Sequence, residues 1–227
     1  VSDAAVSAHL MDRIYRHQRH IYDWTRKYYL LGRDRAIARL APPPGARVLE
    51  IGCGTARNLV RAARTYPDVD FFGIDISHEM LDTAGQAIVR EKLTAHIRLA
   101  QADATRFDPA LLFGVPGFSR ILISYSLSMI PGWRAVLDQA AACLQPGGEL
   151  HIVDFGRQEE LPGWFRAALR RWLALFHVHP RDDLEAVLAD LANNRALSCV
   201  VERPYAGYAQ HAVLSMAPLP VGHWQGP

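Results

Sequence analysis

From Arg47 onward the sequence changes its hydrophobic period at regular intervals, and this alternation constrains the fold more than any other feature. Residues 47–52 ("RVLEIG") read as a buried strand, and 55–66 as a helix stopped by Pro67. Residues 70–77 ("DFFGIDIS") form a second strand and 78–92 a second helix. Residues 96–104 and 119–130 are a third and fourth strand, followed by a helix over 133–144. "QPGG" at 145–148 is a turn, because Pro146 cannot continue a helix. Residues 149–156 ("ELHIVDFG") are a fifth strand, and 196–205 with 211–219 pair as a closing antiparallel hairpin. Strands alternating with helices in this way predict an α/β fold with a doubly wound, mostly parallel sheet.

Composition narrows the function classes. Half of the 227 residues are apolar, enough for a substantial core, and the net charge is only +2, which gives no global nucleic-acid signature. Cys53, Cys143 and Cys199 are widely spaced and odd in number, so neither a disulfide framework nor a zinc site is expected, and a reducing compartment follows. No apolar run is long enough to span a bilayer, and the first residues lack a signal-peptide pattern.

A doubly wound sheet binds ligands at the carboxyl ends of its strands, and Gly52, Asp75, Asp103 and Ser124 all fall at that edge. Gly52 and Gly54, in "VLEIGCGTARNLV", have two readings: a tight strand-to-helix turn that needs positive φ, or a bare backbone that a ligand can approach closely. Asp75 can accept both hydroxyls of a ribose, or belong to a helix start capped by Ser77. Asp103 can receive an adenine amino group or be an ordinary turn acid, and Glu50 can meet a ligand or bond loop amides.

"LEIGCGTARN", "GIDIS", "QADAT" and "LQPGGEL", in this order over 47–156, resemble the successive motifs of class I S-adenosylmethionine-dependent methyltransferases. The resemblance implies their Rossmann-like seven-stranded sheet, an N-terminal helical cap, a helical insertion before the last two strands, and S-adenosylmethionine as cofactor. It implies that Gly52 and Gly54 line the methionine end, Asp75 the ribose and Asp103 the adenine. The expected cofactor shell is completed by Glu50, Asn58, Ile76, Met80, Ala104, Ser124 and Arg33. Ala56 stands where the family often has a third glycine, and the fourth strand ends in "SYSLSM" without an acid, which argues against methylation of a nucleic-acid base amine.

Two further segments bear on the substrate. Residues 9–40 place Leu10, Ile14, Ile21, Trp24, Tyr28 and Leu31 at helical steps, with eight Lys or Arg against Asp12, Asp23 and Asp34. Residues 161–181 place Phe165, Leu169, Trp172 and Phe176 on one helical face, with Arg166, Arg170 and Arg171 flanking the other. Each suits an anionic membrane surface or a packed cover helix. The expected division is 1–45 as a cap and membrane-facing segment and 46–227 as the methyltransferase domain, with an amphipathic insertion at 160–195.

"YRHQRHIYDWTRKYYLLGRDRAI" followed by "LAPPPGARVLEIGCGTARN" resembles the bacterial S-adenosylmethionine–diacylglycerylhomoserine N-methyltransferases of betaine-lipid synthesis. That resemblance implies three methyl transfers to a homoserine amine, a lipid partner, and a cytoplasmic site on the inner face of the cell membrane, with no nucleic acid or metal. Phosphatidylethanolamine N-methyltransferases are the nearest alternative, and a non-catalytic S-adenosylmethionine-binding module is the alternative of another class. Tyr22, Tyr28 and Tyr29 are the expected catalytic aromatics, since ring faces hold a methylated ammonium; Tyr15 can join them, and helix packing is their other reading. His17 and His20 are surface histidines or bases, His151 a core histidine, and Arg33 can instead recognise a substrate carboxylate.

Overall fold

The computed structural model describes residues 30–218. Tyr15, His17, His20, Tyr22, Tyr28 and Tyr29 therefore lie outside the described residues. The described chain opens with α1 (Arg33–Leu40), β1 (Arg47–Ile51), α2 (Arg57–Thr65), β2 (Asp70–Asp75), α3 (His78–Arg90) and β3 (Ile97–Gln101). It continues with α4 (Pro109–Phe113), β4 (Phe118–Ser124), α5 (Trp133–Ala142) and β5 (Leu144–Phe155). Helices α6 (Gly163–Ala174) and α7 (Leu184–Arg195) precede the hairpin β6 (Leu197–Glu202) and β7 (Ala209–Met216).

The strands form one seven-stranded sheet in the order β3-β2-β1-β4-β5-β7-β6. Strands β1 to β5 pair in parallel, and β7 runs antiparallel to both β5 and β6. The expected doubly wound sheet with its closing hairpin is thus present. The chain winds outward from β1 to β3 on one side and from β4 on the other, so β1 and β4 flank a topological switch point, where such sheets form a ligand crevice.

The period-2 alternation of the strands sorts the core into two layers. Leu49, Ile51, Phe72, Ile74, Ile121, Ile123 and Ile152 meet α5 and α7 through Trp133, Val136, Leu184 and Leu188. Val48, Phe71, Leu122, Val153 and Phe155 face the opposite way, toward Ile37 and Leu40 of α1, Leu59 of α2, Ile88 of α3 and Leu173 of α6. Gly73 lets α2 sit this close. A Cβ there would lie 2.6 Å from Leu59 and 2.8 Å from Leu99.

Three local features differ from the sequence reading. Strand β4 stops at Ser124, because Tyr125 adopts φ 55°, in the left-handed region, and breaks the extended run. "QPGG" is a bulge within β5 rather than a turn outside it: Phe118 pairs with Leu144, and the pairing then jumps to Arg120 with Glu149. Helix α4 was not foreseen, although its start is well signalled. Oδ1 of Asp108 accepts from the amides of Ala110 and Leu111, Pro109 occupies the first turn, and Gly114 closes the helix at φ 70°.

Helix α6 takes the cover-helix reading of its apolar stripe. Leu169, Trp172 and Phe176 pack against the body beside buried Leu173, so this stripe is a cover and not a free amphipathic face. Arg170 is pinned: its guanidinium makes a two-pronged pair with Asp182 at 2.6 and 2.8 Å and donates to Gln158 at 3.0 Å. The large apolar side chains left outside are Trp164 and Leu175, at 75% and 67% exposure, with Phe165 at 38%.

Candidate cofactor site

The site begins where β1 ends. Gly52 and Gly54 have φ of 70° and 52°, and the intervening amides turn back onto β2: Gly52 and Cys53 both donate to the Ile74 carbonyl, at 2.9 and 3.0 Å. Gly54 N–H donates to Oδ2 of Asp75 at 2.8 Å. The tight-turn reading of the glycines holds. The positive φ is needed, and a Cβ on Gly52 would also stand 2.7 Å from that of Ser126. Gly52→Ala is expected to lose about 1–2 kcal/mol through the left-handed backbone alone. It should also displace Ser126, weakening cofactor binding in calorimetry while lowering the melting temperature.

Ala56, at the frequent third-glycine position, also lies in the left-handed region at φ 60°. That conformation costs an alanine about 1 kcal/mol. Its fully buried methyl recovers about 0.8 kcal/mol. The departure from glycine is therefore nearly neutral.

Asp75 does not cap α3. Ser77 does so, its Oγ accepting from Met80 N–H at 3.3 Å. The two Asp75 oxygens instead hold the amides of Gly54 and Ser77, so this carboxylate ties the glycine turn to the α3 entry and lines the cleft. Asp103 forms a local turn, Oδ1 accepting from Thr105 N–H at 2.9 Å and Thr105 Oγ1 at 2.7 Å, and it also lines the cleft.

The cleft at this edge is open to solvent. Its lining brings together Gly52, Gly54, Asp75, Ile76, Asp103, Ala104 and Ser124, all expected from the sequence. It adds Ile74 and Ala102, and also Tyr125, Ser126, Met129 and Ile130, the last four missed by running β4 on to residue 130. The serines spaced through "SYSLSM" were the available signal. Met80 is not in the lining; it is buried and packs behind Met129 and Phe176.

A second hollow joins the first at Gly52, Gly54 and Ser124 and is lined by Leu30, Arg33, Glu50, Cys53, Thr55, Arg57 and Asn58. Glu50 is 1% exposed. Its Oε1 accepts from Asn58 at 2.7 Å, while Oε2 has no hydrogen-bond partner among the described residues. Burial pushes its pKa up to about 8, opposed by the Asn58 bond and by the charge of Arg33. A buried acid with an unused oxygen, near an arginine, suits a zwitterionic amino acid: the ammonium for Glu50, the carboxylate for Arg33.

The two hollows in sequence fit S-adenosylmethionine. Glu50 and Arg33 would hold its methionyl end, the bare backbone at Gly52 its centre, Asp75 the ribose, and the Asp103–Ala104 turn with Ile76 and Ile130 the adenine. Among the described residues no group of three or more His, Cys, Asp or Glu side chains could hold a metal.

Comparison with known proteins agrees with this geometry. Residues 48–148 match the family model described as "Methyltransferase domain". An O-methyltransferase of Pyrenophora dematioidea is 29% identical over 167 residues, 72% of this chain and 60% of that protein. A demethylmenaquinone methyltransferase of Listeria welshimeri is 28% identical over 154 residues, 66% of this chain and 63% of that one. The chain thus spans less than two thirds of the length of either relative. Among solved structures, phosphoethanolamine N-methyltransferase 2 of Haemonchus contortus with S-adenosyl-L-methionine superposes with a TM-score of 0.71 at 16% identity. The match covers 96% of this chain and 60% of that one, and at this identity it speaks for the fold. Residues 48–148 thus match a methyltransferase-domain model, and the described chain has the seven-stranded fold of the S-adenosylmethionine-dependent methyltransferase structures it superposes on.

Proposed function

We propose that the chain is a lipid N-methyltransferase acting at an anionic membrane surface, on the inner face of the cell membrane, and that it methylates the homoserine amine of diacylglycerylhomoserine three times. The observation that carries the lipid reading is the outer face of α6. Trp164, Phe165 and Leu175 stand exposed beside Arg166 and Arg171, and 161–181 contains no acidic residue. Exposed aromatics flanked by arginines suit the interface of an anionic bilayer. Among the described residues no helix is long and apolar enough to cross a membrane, so the proposed contact is peripheral. The head-group assignment rests on the likeness of the N-terminal sequence to betaine-lipid enzymes. Phosphatidylethanolamine is the alternative, and the structural neighbour named for phosphoethanolamine is compatible with either amine.

S-adenosylmethionine supplies an electrophilic methyl carried on a sulfonium. The protein has to hold the amine in line with that methyl and exclude water. The amine must lose its proton first, which an apolar wall such as Met129 and Ile130 favours by disfavouring charge. Among the cleft residues, Tyr125 is a poor proton acceptor: its hydroxyl donates to the Leu31 carbonyl at 2.6 Å, and burial drives its pKa well up.

Mass spectrometry of lipids from a host expressing the chain tests the substrate. Mono-, di- and trimethylated homoserine lipids are expected only when diacylglycerylhomoserine is supplied; methylated ethanolamine lipids instead would establish the alternative. The membrane surface is tested separately. Each basic residue near an anionic surface contributes about 1 kcal/mol. Replacing Arg166 and Arg171 with glutamine should therefore weaken binding to anionic vesicles about 30-fold at low salt and leave cofactor affinity unchanged. Equal vesicle binding would remove α6 from the membrane contact.

A further inference from the structure

The cleft wall that follows β4, residues 126–130, contributes Ser126, Met129 and Ile130 to the lining and belongs to no helix or strand. It is held from outside by the segment that follows α6. Arg181 Nε donates to the Leu127 carbonyl at 3.0 Å, and its Nη2 donates to the Ile130 carbonyl at 2.9 Å. The amide of His179 donates to the Ser128 carbonyl at 2.9 Å. From below, Oδ2 of Asp154 accepts from Ser128 N–H at 3.1 Å. Gln210 fixes the latch itself, its Nε2 donating to the carbonyls of Phe155 and Arg181 at 2.8 and 3.3 Å. The guanidinium also lies over the Trp133 ring, 5.7 Å from its centroid.

We infer that Arg181 is a positioning residue for the cofactor cleft, forking two carbonyls of the 126–130 wall so that α6 and the cleft move as one unit. The inference rests on the cofactor assignment and not on the choice of lipid. A planar fork can span Leu127 and Ile130 at once, whereas an ammonium on a flexible stem reaches one carbonyl well. The carbonyls it bonds are three residues apart in a stretch whose own backbone bonds, from Met129 and Ile130 to Ser126 and a longer one from Ile130 to Leu127, close only one turn. Without the fork the wall keeps that turn, the Asp154 bond and the His179 amide on Ser128, but loses the two side-chain bonds that span it. Arg181 is not in the cleft lining itself; it acts through the backbone of the wall that carries Met129 and Ile130.

The test compares Arg181→Lys and Arg181→Met with Arg170→Gln, which breaks the neighbouring pair with Asp182 but bonds no part of the wall. Binding of S-adenosylhomocysteine is measured by calorimetry and melting by calorimetric scan. Both Arg181 variants should lose affinity roughly 5- to 100-fold, with the Met variant the more affected, while Arg170→Gln binds as the parent even if its melting temperature falls. In methyl transfer, the KM for cofactor should rise more than kcat falls. Hydrogen exchange on the unaltered chain gives a readout that does not depend on any variant folding. Saturation with S-adenosylhomocysteine should slow exchange at the His179 amide, which lines no part of the cleft. Parent-like affinity in folded Arg181 variants would overturn the inference. So would an equal loss in Arg170→Gln, or an unchanged His179 amide on saturation. If S-adenosylhomocysteine fails to bind the unaltered chain, it is the cofactor assignment that fails.

Discussion

Glu50→Gln is expected to make the cofactor-free protein more stable and its cofactor complex weaker, two changes of opposite sign from one atom. Glu50 has its pKa raised from 4.5 to about 8 by burial. The folded state therefore holds a proton that the unfolded chain releases above pH 4.5. The stability it confers is complete below that pH and is lost as pH rises to about 8. The loss amounts to about 3 kcal/mol at pH 7 and nearly 5 kcal/mol above pH 8. Glutamine removes this dependence. It keeps the acceptor for Asn58 and leaves an unpaired amide donor where Oε2 stands, at about 1–2 kcal/mol. The variant should thus melt higher than the parent at pH 8, with the difference shrinking as pH falls and reversing near pH 4.5, where only the cost of the unpaired amide remains. A charged amine bound beside Glu50 draws it into the ionised form. Cofactor binding to the parent should then release up to one proton near pH 7, read by calorimetry in buffers of different ionisation enthalpy, and the variant should release none. Its affinity should fall by about 1.5–3 kcal/mol, the worth of a charged hydrogen bond. Equal proton release in the two proteins would place the ammonium away from Glu50.

Asp75→Ala is expected to have the largest effect on binding. The substitution removes the carboxylate offered to the ribose and also the acceptor that holds Gly54 N–H at 2.8 Å and Ser77 N–H at 3.0 Å. Each charge-assisted bond is worth about 1.5–3 kcal/mol, so affinity should fall by two to four orders of magnitude, on the order of 3–5 kcal/mol. Asp75→Asn keeps one acceptor oxygen and should lose less, which separates the ribose contact from the bracing of the turn. Calorimetry gives the affinities, and circular dichroism shows that each variant is folded. Unchanged affinity in folded Asp75→Ala would remove this carboxylate from the site.

Much of this was legible in the chain itself. Local rules suffice for the strand–helix alternation, because a strand buried on both faces is a short apolar run and a helix repeats every third or fourth residue. Gly52, Asp75, Asp103 and Ser124 could be placed on one edge from connectivity alone, since parallel strands must all end on the same side. The hairpin of β6 and β7 followed from two apolar runs separated by a short stretch that contains Gly207.

Tertiary structure decided what depends on partners distant in sequence. Residues 125–130 read as strand by composition, yet the left-handed Tyr125, with its hydroxyl on Leu31, turns them into the cleft wall. Nothing local distinguishes the Leu169–Phe176 stripe of α6 from a membrane face; only the second core layer behind it makes it a cover and leaves Trp164 and Leu175 outside. Arg170 and Arg171 are adjacent in sequence, but one is clamped by Asp182 and the other is exposed. Met80 sits behind Met129 because α3 turns it inward, away from the edge that its neighbours line. The raised pKa of Glu50 arises from desolvation between β1, α1 and α2, a property of packed volume that no spacing of residues records.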